Sequence, residues 1–445
     1  MRFFEDRLAL SVLFVSIPLL FLPKFNLINL DAGETAGLRV DDLILFVIGI
    51  LLMWAHARSH QKLYTPEGWL LLITLFSFFS FLINKLLVSA GILHINAKIF
   101  YTVRLLEYFM FFYIGAIASR YFHLQRIVRL FFLWNLAIMT LQKLNWVGAI
   151  TVSGYHEEVS TRVFGVASFP SEMGLILNLM FCYLIWDTSA PCKFIRMFSS
   201  PRFRFFLHSF YLYWMFALFG IFVIFTGNRI SLVALSICFF CRLLQTVQWR
   251  SAASLLAIAL IIPALVGGIG FVIVKSEGVY ERSASLFSLK NVELIYRVGE
   301  TVDITAAPED LFSDTLSSEG VDMSWWIRIH KWLFAIKSLL INPLCYLQGL
   351  GPGFNQAALD GGILRIATEY GLIGVFLFWQ FFASLYRINP QTKWMMIAFA
   401  LNMIFFDAYL AYKTMSFLFF TCGYLFENRH CIPFKLETQS LTQKA

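Results

Sequence analysis

The amino-acid sequence predicts an all-α membrane protein of about twelve transmembrane helices with one large loop outside the membrane. Three observations lead there. Of the 445 residues, 59% are hydrophobic and only 14% are charged, whereas soluble domains run near about a quarter charged. The apolar residues cluster into runs of roughly 16–22, long enough for a helix to cross a hydrocarbon core. Alternating segments of about ten residues, which barrel strands require, are absent, and an open sheet would leave its edge amides unsatisfied in lipid.

In chain order, helices are expected at 8–23, 41–57, 68–85, 100–119, 127–144, 168–186, 207–226, 229–247, 253–274, 361–384, 394–410 and 412–427. The first has basic flanks at Arg2 and Arg7 and no small-x-small cleavage site, so it reads as a retained helix. Connections on one side carry Arg58 and Lys62, Arg120 and Arg126, Lys193, Arg196, Arg202 and Arg204, Arg242 and Arg250, Arg387 and Lys393, then Arg429, Lys435 and Lys444. The other side has sparser cations, mixed with Asp31, Glu34, Glu157 and Glu158. By the positive-inside rule both termini are expected in the cytoplasm. The formal charge of +8 is then mostly topological, and no nucleic-acid partner is expected. Among seven cysteines only Cys345 falls in a long outer loop, so no external disulfide framework is available. Cys238 and Cys241 have redox spacing but lie in an apolar helix, where packing is the expected role.

These elements divide the chain into a nine-helix bundle (1–274), a large outer loop (275–360) and three C-terminal helices with a cytoplasmic tail (361–445). The loop holds 7 basic and 11 acidic residues, so it is mixed and not a polycation. Its stretch from Glu300 to Asp322 is rich in Ser, Thr, Asp, Glu and Pro and reads as solvated loop. From Ser324 to Leu340 the character changes. Trp325, Trp326, Ile329, Trp332, Leu333, Ile336, Leu339 and Leu340 share one face at helical spacing. An interfacial helix over 324–340 is expected, with its tryptophans at headgroup depth. Asn342-Pro343 ends it, and Gly349, Gly351, Pro352 and Gly353 turn the chain back.

Cations on the outer side run against the topological bias. Arg162 precedes the sixth helix, Arg229 follows the tight turn Thr226-Gly-Asn, and Arg328 sits on the interfacial helix. A guanidinium keeps its charge and offers a planar fork of donors suited to phosphate oxygens. The alternative for each is snorkelling to headgroups or pairing with an acid. Asp360 closes the long loop where headgroups meet water. It suits either an N-cap or a general base, which must stay ionised near guanidinium groups. His330, an arginine expected near position 364, and Glu369 are further candidates. Arg104 with Glu107, and Asp407, read equally well as bundle packing and stay outside the site. No Walker pattern suggests an ATP-driven pump, and no His/Cys set suggests a metal. No cofactor is expected.

Four motifs in this order resemble the O-antigen polymerase and O-antigen ligase family of bacterial envelope membrane proteins. They are Arg162-Val-Phe-Gly165 with Pro170-Ser-Glu-Met-Gly174, and Thr226-Gly-Asn-Arg229, with Asn228 where the family usually has serine. The third runs from Arg328 to Trp332, then Pro343-Leu and Gly349-Leu-Gly351. The fourth is Asp360-Gly361, nine residues, Gly371, two residues, Gly374. The resemblance implies a GT-C-like bundle in the bacterial inner membrane, active at the periplasmic face, and a metal-independent glycosyltransferase. Its donor would be an undecaprenyl-pyrophosphate-linked oligosaccharide, and a polysaccharide co-polymerase would be the family's partner. Arg162, Arg229 and Arg328 would bind the pyrophosphate, with Asp360 as base. The ligase motif begins with histidine where this chain has Asp360, which favours a polymerase that joins lipid-linked repeat units. A ligase acting on lipid A-core, a related oligosaccharyltransferase and a lipid-linked oligosaccharide transporter are the alternatives. Two related halves, common in transporters, are not evident.

Overall fold

The computed structural model describes residues 6–23, 26–29, 37–58, 64–149, 159, 161–186, 201–246, 289–304, 323–355 and 358–431. Its helices are α1 (Asp6–Phe21), α2 (Val40–Arg58), α3 (Thr65–Ser89), α4 (Phe100–Ala118), α5 (Leu124–Lys143), α6 (Pro170–Trp186), α7 (Pro201–Thr226) and α8 (Arg229–Thr246). They continue with α9 (Leu289–Thr301), α10 (Met323–Leu340), α11 (Pro343–Gln348), α12 (Gly362–Tyr386), α13 (Pro390–Asn402) and α14 (Tyr412–Cys431). A small antiparallel hairpin pairs β1 (Asn26–Asn29) with β2 (Gly37–Arg39). Each expected membrane helix has a counterpart except the ninth, 253–274, which lies outside the described residues. By length and hydropathy α3, α4, α5 and α12 can cross a membrane, and Leu8–Phe21, Pro170–Trp186 and Phe210–Thr226 are shorter apolar helices. Large apolar side chains also face outward, with Phe14 83%, Leu75 68% and Trp379 71% exposed. Water would penalise such a surface and lipid does not. The chain is an α-helical membrane protein.

It folds as two compact units, the first from residues 1–76, 100–238 and 376–445, the second from 77–99 and 239–375. In the first, α14 packs most extensively on α4, and the reason is mutual absence of side chains. A Cβ added at Gly115 of α4 would fall 2.0 Å from the Phe420 carbonyl oxygen, and one at Gly423 of α14 would fall 1.9 Å from that of Phe112. Small residues let membrane helices approach this closely where no hydrophobic effect drives them together. Around the crossing Phe109 stacks on Phe112 at 4.8 Å and meets Phe381 and Phe419. Gly115→Ala must therefore push the helices apart, at a cost of at least ~1–3 kcal/mol. The melting temperature of the detergent-solubilised protein should fall, while Gly68→Ala, which meets nothing within 4 Å, should leave it unchanged or slightly raised.

The eleventh expected helix, 394–410, is shorter and shifted. Asn389 forms a capping box with Thr392 and Pro390 takes the first turn, so α13 starts early. It stops at Asn402, and the chain turns into a short 3₁₀ segment, Ala408–Leu410. The apolar run from Met403 to Phe406 conceals this turn because no Gly or Pro marks it.

The second unit has its own core of Leu87, Leu93, Val298, Val302, Ile329, Phe334, Cys345, Leu350 and Phe354. Largely ahead of the stretch expected as solvated loop, Glu300–Asp322, of which 305–322 lie outside the described residues, the long loop contains a helix, α9, which packs on α10. One expectation about the loop is corrected. The apolar face of α10 packs largely on protein rather than lipid. Trp326 and Ile329 are buried, Trp325, Leu333 and Leu339 are packed against this core, and Ile336 and Leu340 stay exposed. Periodicity identifies an apolar face but not what covers it.

α12 is two helices in one. Gly371, at φ 62° and ψ −166°, breaks the helical backbone, and a positive φ of this kind suits glycine. The break releases the Thr368 and Glu369 carbonyls, which accept instead from the amides of Leu350 (2.8 Å) and Gly351 (2.9 Å). Ser80 and Asn84 of α3 hold the other side of this loop through the carbonyls of Gln348 (2.9 Å) and Leu350 (2.6 Å). A backbone irregularity inside a membrane protein survives only when its polar groups are satisfied in this way.

Candidate functional site

The four residues expected to form the site fall into two pairs, one in each unit. In the second unit α10 carries Arg328 and the short segment 358–361 carries Asp360. The Arg328 Nε donates to the Asp360 carboxylate at 3.2 Å, and both side chains are about one-third exposed, 31% and 37%. Because the bond uses only Nε, the two terminal nitrogens of the fork have no protein partner among the described residues. Asp360 has a φ of +56°. Aspartate tolerates this left-handed conformation better than most residues, and its occurrence off-glycine marks a locally constrained position. It accepts from Arg328 rather than capping α12, although Arg365 N does bond the Gly361 carbonyl one residue on at 2.7 Å. The constraint comes from α10. Lys331 Nζ donates to the Ala358 carbonyl and Trp332 Nε1 to the Leu359 carbonyl, each at 2.9 Å.

In the first unit Arg162 lies along the turn that leads to Arg229. Its Nε donates to the Thr226 carbonyl at 3.3 Å, and a Cβ at Gly227 would meet the same Nε at 3.1 Å. Val163 N bonds the Phe225 carbonyl at 3.0 Å, tying the two loops together. Two fully buried amides of α5 set the shape of the Arg162 loop. Gln142 Oε1 accepts from Phe164 N (3.1 Å) and Gly165 N (2.8 Å), and its Nε2 donates to the Gly165 carbonyl (3.3 Å). Asn135 Oδ1 accepts from Val166 N at 3.2 Å. On the turn itself Asn228 donates to the Ser231 hydroxyl (2.7 Å), which donates to Asn402 (2.6 Å). Asn228 thus does more than stand in for a serine hydroxyl, since its amide also reaches the Ser171 carbonyl at 3.3 Å.

Glu172, in the stretch following the Arg162 loop, is a fastening. It is 1% exposed and its carboxylate accepts from Ser168 N (2.8 Å), Lys413 N (2.8 Å) and Thr414 N (3.4 Å). One carboxylate caps two helix starts, α6 and α14, where the amides lack intrahelical acceptors and the dipole favours negative charge.

The further candidates separate cleanly. The arginine expected near position 364 is Arg365, and Leu364 precedes it. Arg365 and Glu369 form an ion pair at 3.0 Å with both side chains 0% exposed. Glu369 also accepts from the amides of Gly353 (3.1 Å) and Asn355 (3.2 Å). This pair locks the glycine loop to α12 and has no face open to a substrate. His330 donates through Nδ1 to the Trp326 carbonyl at 3.0 Å, its ring 3.8 Å from that of Trp326. Burial pushes its pKa below the ordinary value. The unfolded chain then takes up the proton first as pH falls, so stability should decline on acidification through about pH 6.5. His330→Asn should flatten that acid-side decline of the melting temperature. Arg104 and Glu107 are half-buried on α4, and Asp407 is buried at the turn after α13.

Sequence reading missed Gln142, Asn135, Lys331 and Trp332 as site-shaping residues. The first two were visible as amides seven residues apart in an apolar helix. The other two bond backbone carbonyls 27 residues away, which no side-chain pattern encodes. Among the described residues no cluster of three or more His, Cys, Asp or Glu could hold a metal. No family model and no curated protein matches the chain.

Proposed function

We propose that the chain is a polymerase-type glycosyltransferase of the bacterial inner membrane. It has about twelve spans and cytoplasmic termini, and it joins undecaprenyl-pyrophosphate-linked repeat units at the periplasmic face. The observation that carries this reading is the partly exposed Asp360 carboxylate beside an arginine whose terminal nitrogens have no protein partner among the described residues. Asp360 takes the proton from the acceptor sugar hydroxyl as that oxygen attacks the anomeric carbon. Undecaprenyl pyrophosphate leaves with the bonding pair, and Arg328, beside Asp360 in the second unit, stabilises the charge that develops on it. All of the chemistry assigned here uses protein groups, and a polysaccharide co-polymerase is the expected partner.

The deciding experiment is a deletion strain whose envelope polysaccharide is displayed on a gel. Core bearing a single repeat unit supports the polymerase. Bare core with accumulated lipid-linked polymer replaces it with the ligase. Bare core with single lipid-linked units trapped on the cytoplasmic side replaces it with transport, and a normal ladder overturns all three readings.

A further inference from the structure

We propose that Lys331 and Trp332 are positioning residues which, together with Arg328, aim the Asp360 carboxylate. This rests on the reading of Asp360 as the base. Arg328, Lys331 and Trp332 stand at i, i+3 and i+4 on α10, so they share one face. From that face they fasten three consecutive residues: Lys331 holds the Ala358 carbonyl, Trp332 the Leu359 carbonyl and Arg328 the Asp360 carboxylate. Two of the three bonds go to backbone oxygens and so fix geometry without touching the reactive group.

The geometry needs fixing. A non-glycine residue at φ +56° holds that conformation only where its surroundings over-determine it. The two donors are suited to the task in different ways. An indole N–H donates in one direction, and the Trp332 ring is held edge-on to Trp325 at 5.8 Å. An ammonium makes a charge-assisted bond that is stronger than a neutral one. The helix is anchored in the second unit's core through Ile329 and Phe334, so the clamp stands on a packed helix rather than on a loop. Small displacements of a catalytic group cost rate steeply.

The test uses the purified full-length protein in lipid nanodiscs, with lipid-linked repeat units extracted from the deletion strain. Lys331→Met and Trp332→Phe should each lower turnover roughly 10- to 100-fold, with KM within about two-fold and the melting temperature unchanged. Lys331→Arg, which keeps a cationic donor, should recover most of the turnover. If both variants turn over like the parent while Asp360→Asn is inactive, the clamp is overturned and the base assignment stands. If Asp360→Asn is itself fully active, the base assignment falls and the clamp with it. If turnover is lost only in step with a lowered melting temperature, and returns on cooling, the two bonds are structural and the proposal is overturned.

Discussion

Gly349→Ala is expected to abolish accumulation of folded protein. The added Cβ would fall 2.2 Å from the Glu369 carbonyl oxygen and 2.4 Å from the Tyr370 nitrogen, both backbone atoms that no rotamer change can move. Gly349 also has a φ of +79°, which costs an alanine about 1–2 kcal/mol. Relieving the clash means lifting the loop off the break in α12. That strips Leu350 N from the Thr368 carbonyl and Gly351 N from the Glu369 carbonyl. Each of the two bonds lost with a buried group left unpaired costs roughly 1–3 kcal/mol. The sum, roughly 3–8 kcal/mol, rivals the whole stability of an ordinary domain, ~5–15 kcal/mol. Gly371→Ala should behave alike, since its Cβ would sit 2.5 Å from Gly349 N. The control is Gly299→Ala on α9, where nothing lies within 4 Å and alanine should add up to about 1 kcal/mol of helix stability. Fluorescence-detected size exclusion of the solubilised variants reads all three. A monodisperse parent-like peak for Gly349→Ala would show that the loop does not depend on this contact.

The same loop argues against a carrier. Discontinuous helices in transporters leave freed carbonyls to coordinate a substrate or ion. Here the carbonyls of Thr368 and Glu369 are already bonded to loop amides, and the nearby charges, Arg365 and Glu369, neutralise each other at 0% exposure. The break serves docking.

Hydropathy made the helices legible, because lipid imposes one rule on every span, and capping residues such as Asn389 and Pro390 explain where the ends moved. The break at Gly371 was not legible. Gly371 and Gly374 stand out in the sequence, but a glycine inside a membrane helix serves close packing as often as a kink, and only the partner loop decides. The face of α10 posed a similar problem. Its spacing is that of an interfacial helix, while its actual cover, Leu87 of α3, Leu93 just after it and Val298 of α9, comes from distant sequence. At the candidate site, residue chemistry pointed to Arg162, Arg229, Arg328 and Asp360, and the structure sets Arg328 on Asp360 and Arg162 on the turn before Arg229. Glu369 and its arginine carried the same chemical signal yet are sealed inside the second unit. Burial separates the two cases, and burial is not written in the local sequence.

Asp360→Asn should cost turnover by about 10²–10⁴-fold, the usual worth of a positioned acid or base, and leave the fold intact. Asparagine is the right replacement for two reasons. It accepts the left-handed φ of +56° as readily as aspartate, so no backbone strain enters the result. Its carbonyl oxygen can still accept from Arg328 Nε, so the ion pair becomes a neutral hydrogen bond. With both side chains about one-third exposed, that change costs at most a few tenths of a kcal/mol to about 1 kcal/mol, too little to unfold the second unit. Alanine would mix these effects: it adds strain, removes the acceptor and exposes the guanidinium. Arg328→Gln is the complement. It keeps a donor for the carboxylate but removes the two terminal nitrogens and the charge, so it should weaken donor binding more than Asp360→Asn does. Turnover and KM measured for both variants therefore divide the labour of the pair: proton removal at position 360, anion binding at position 328. Equal effects on both parameters from both variants would mean that the two residues act as one structural ion pair.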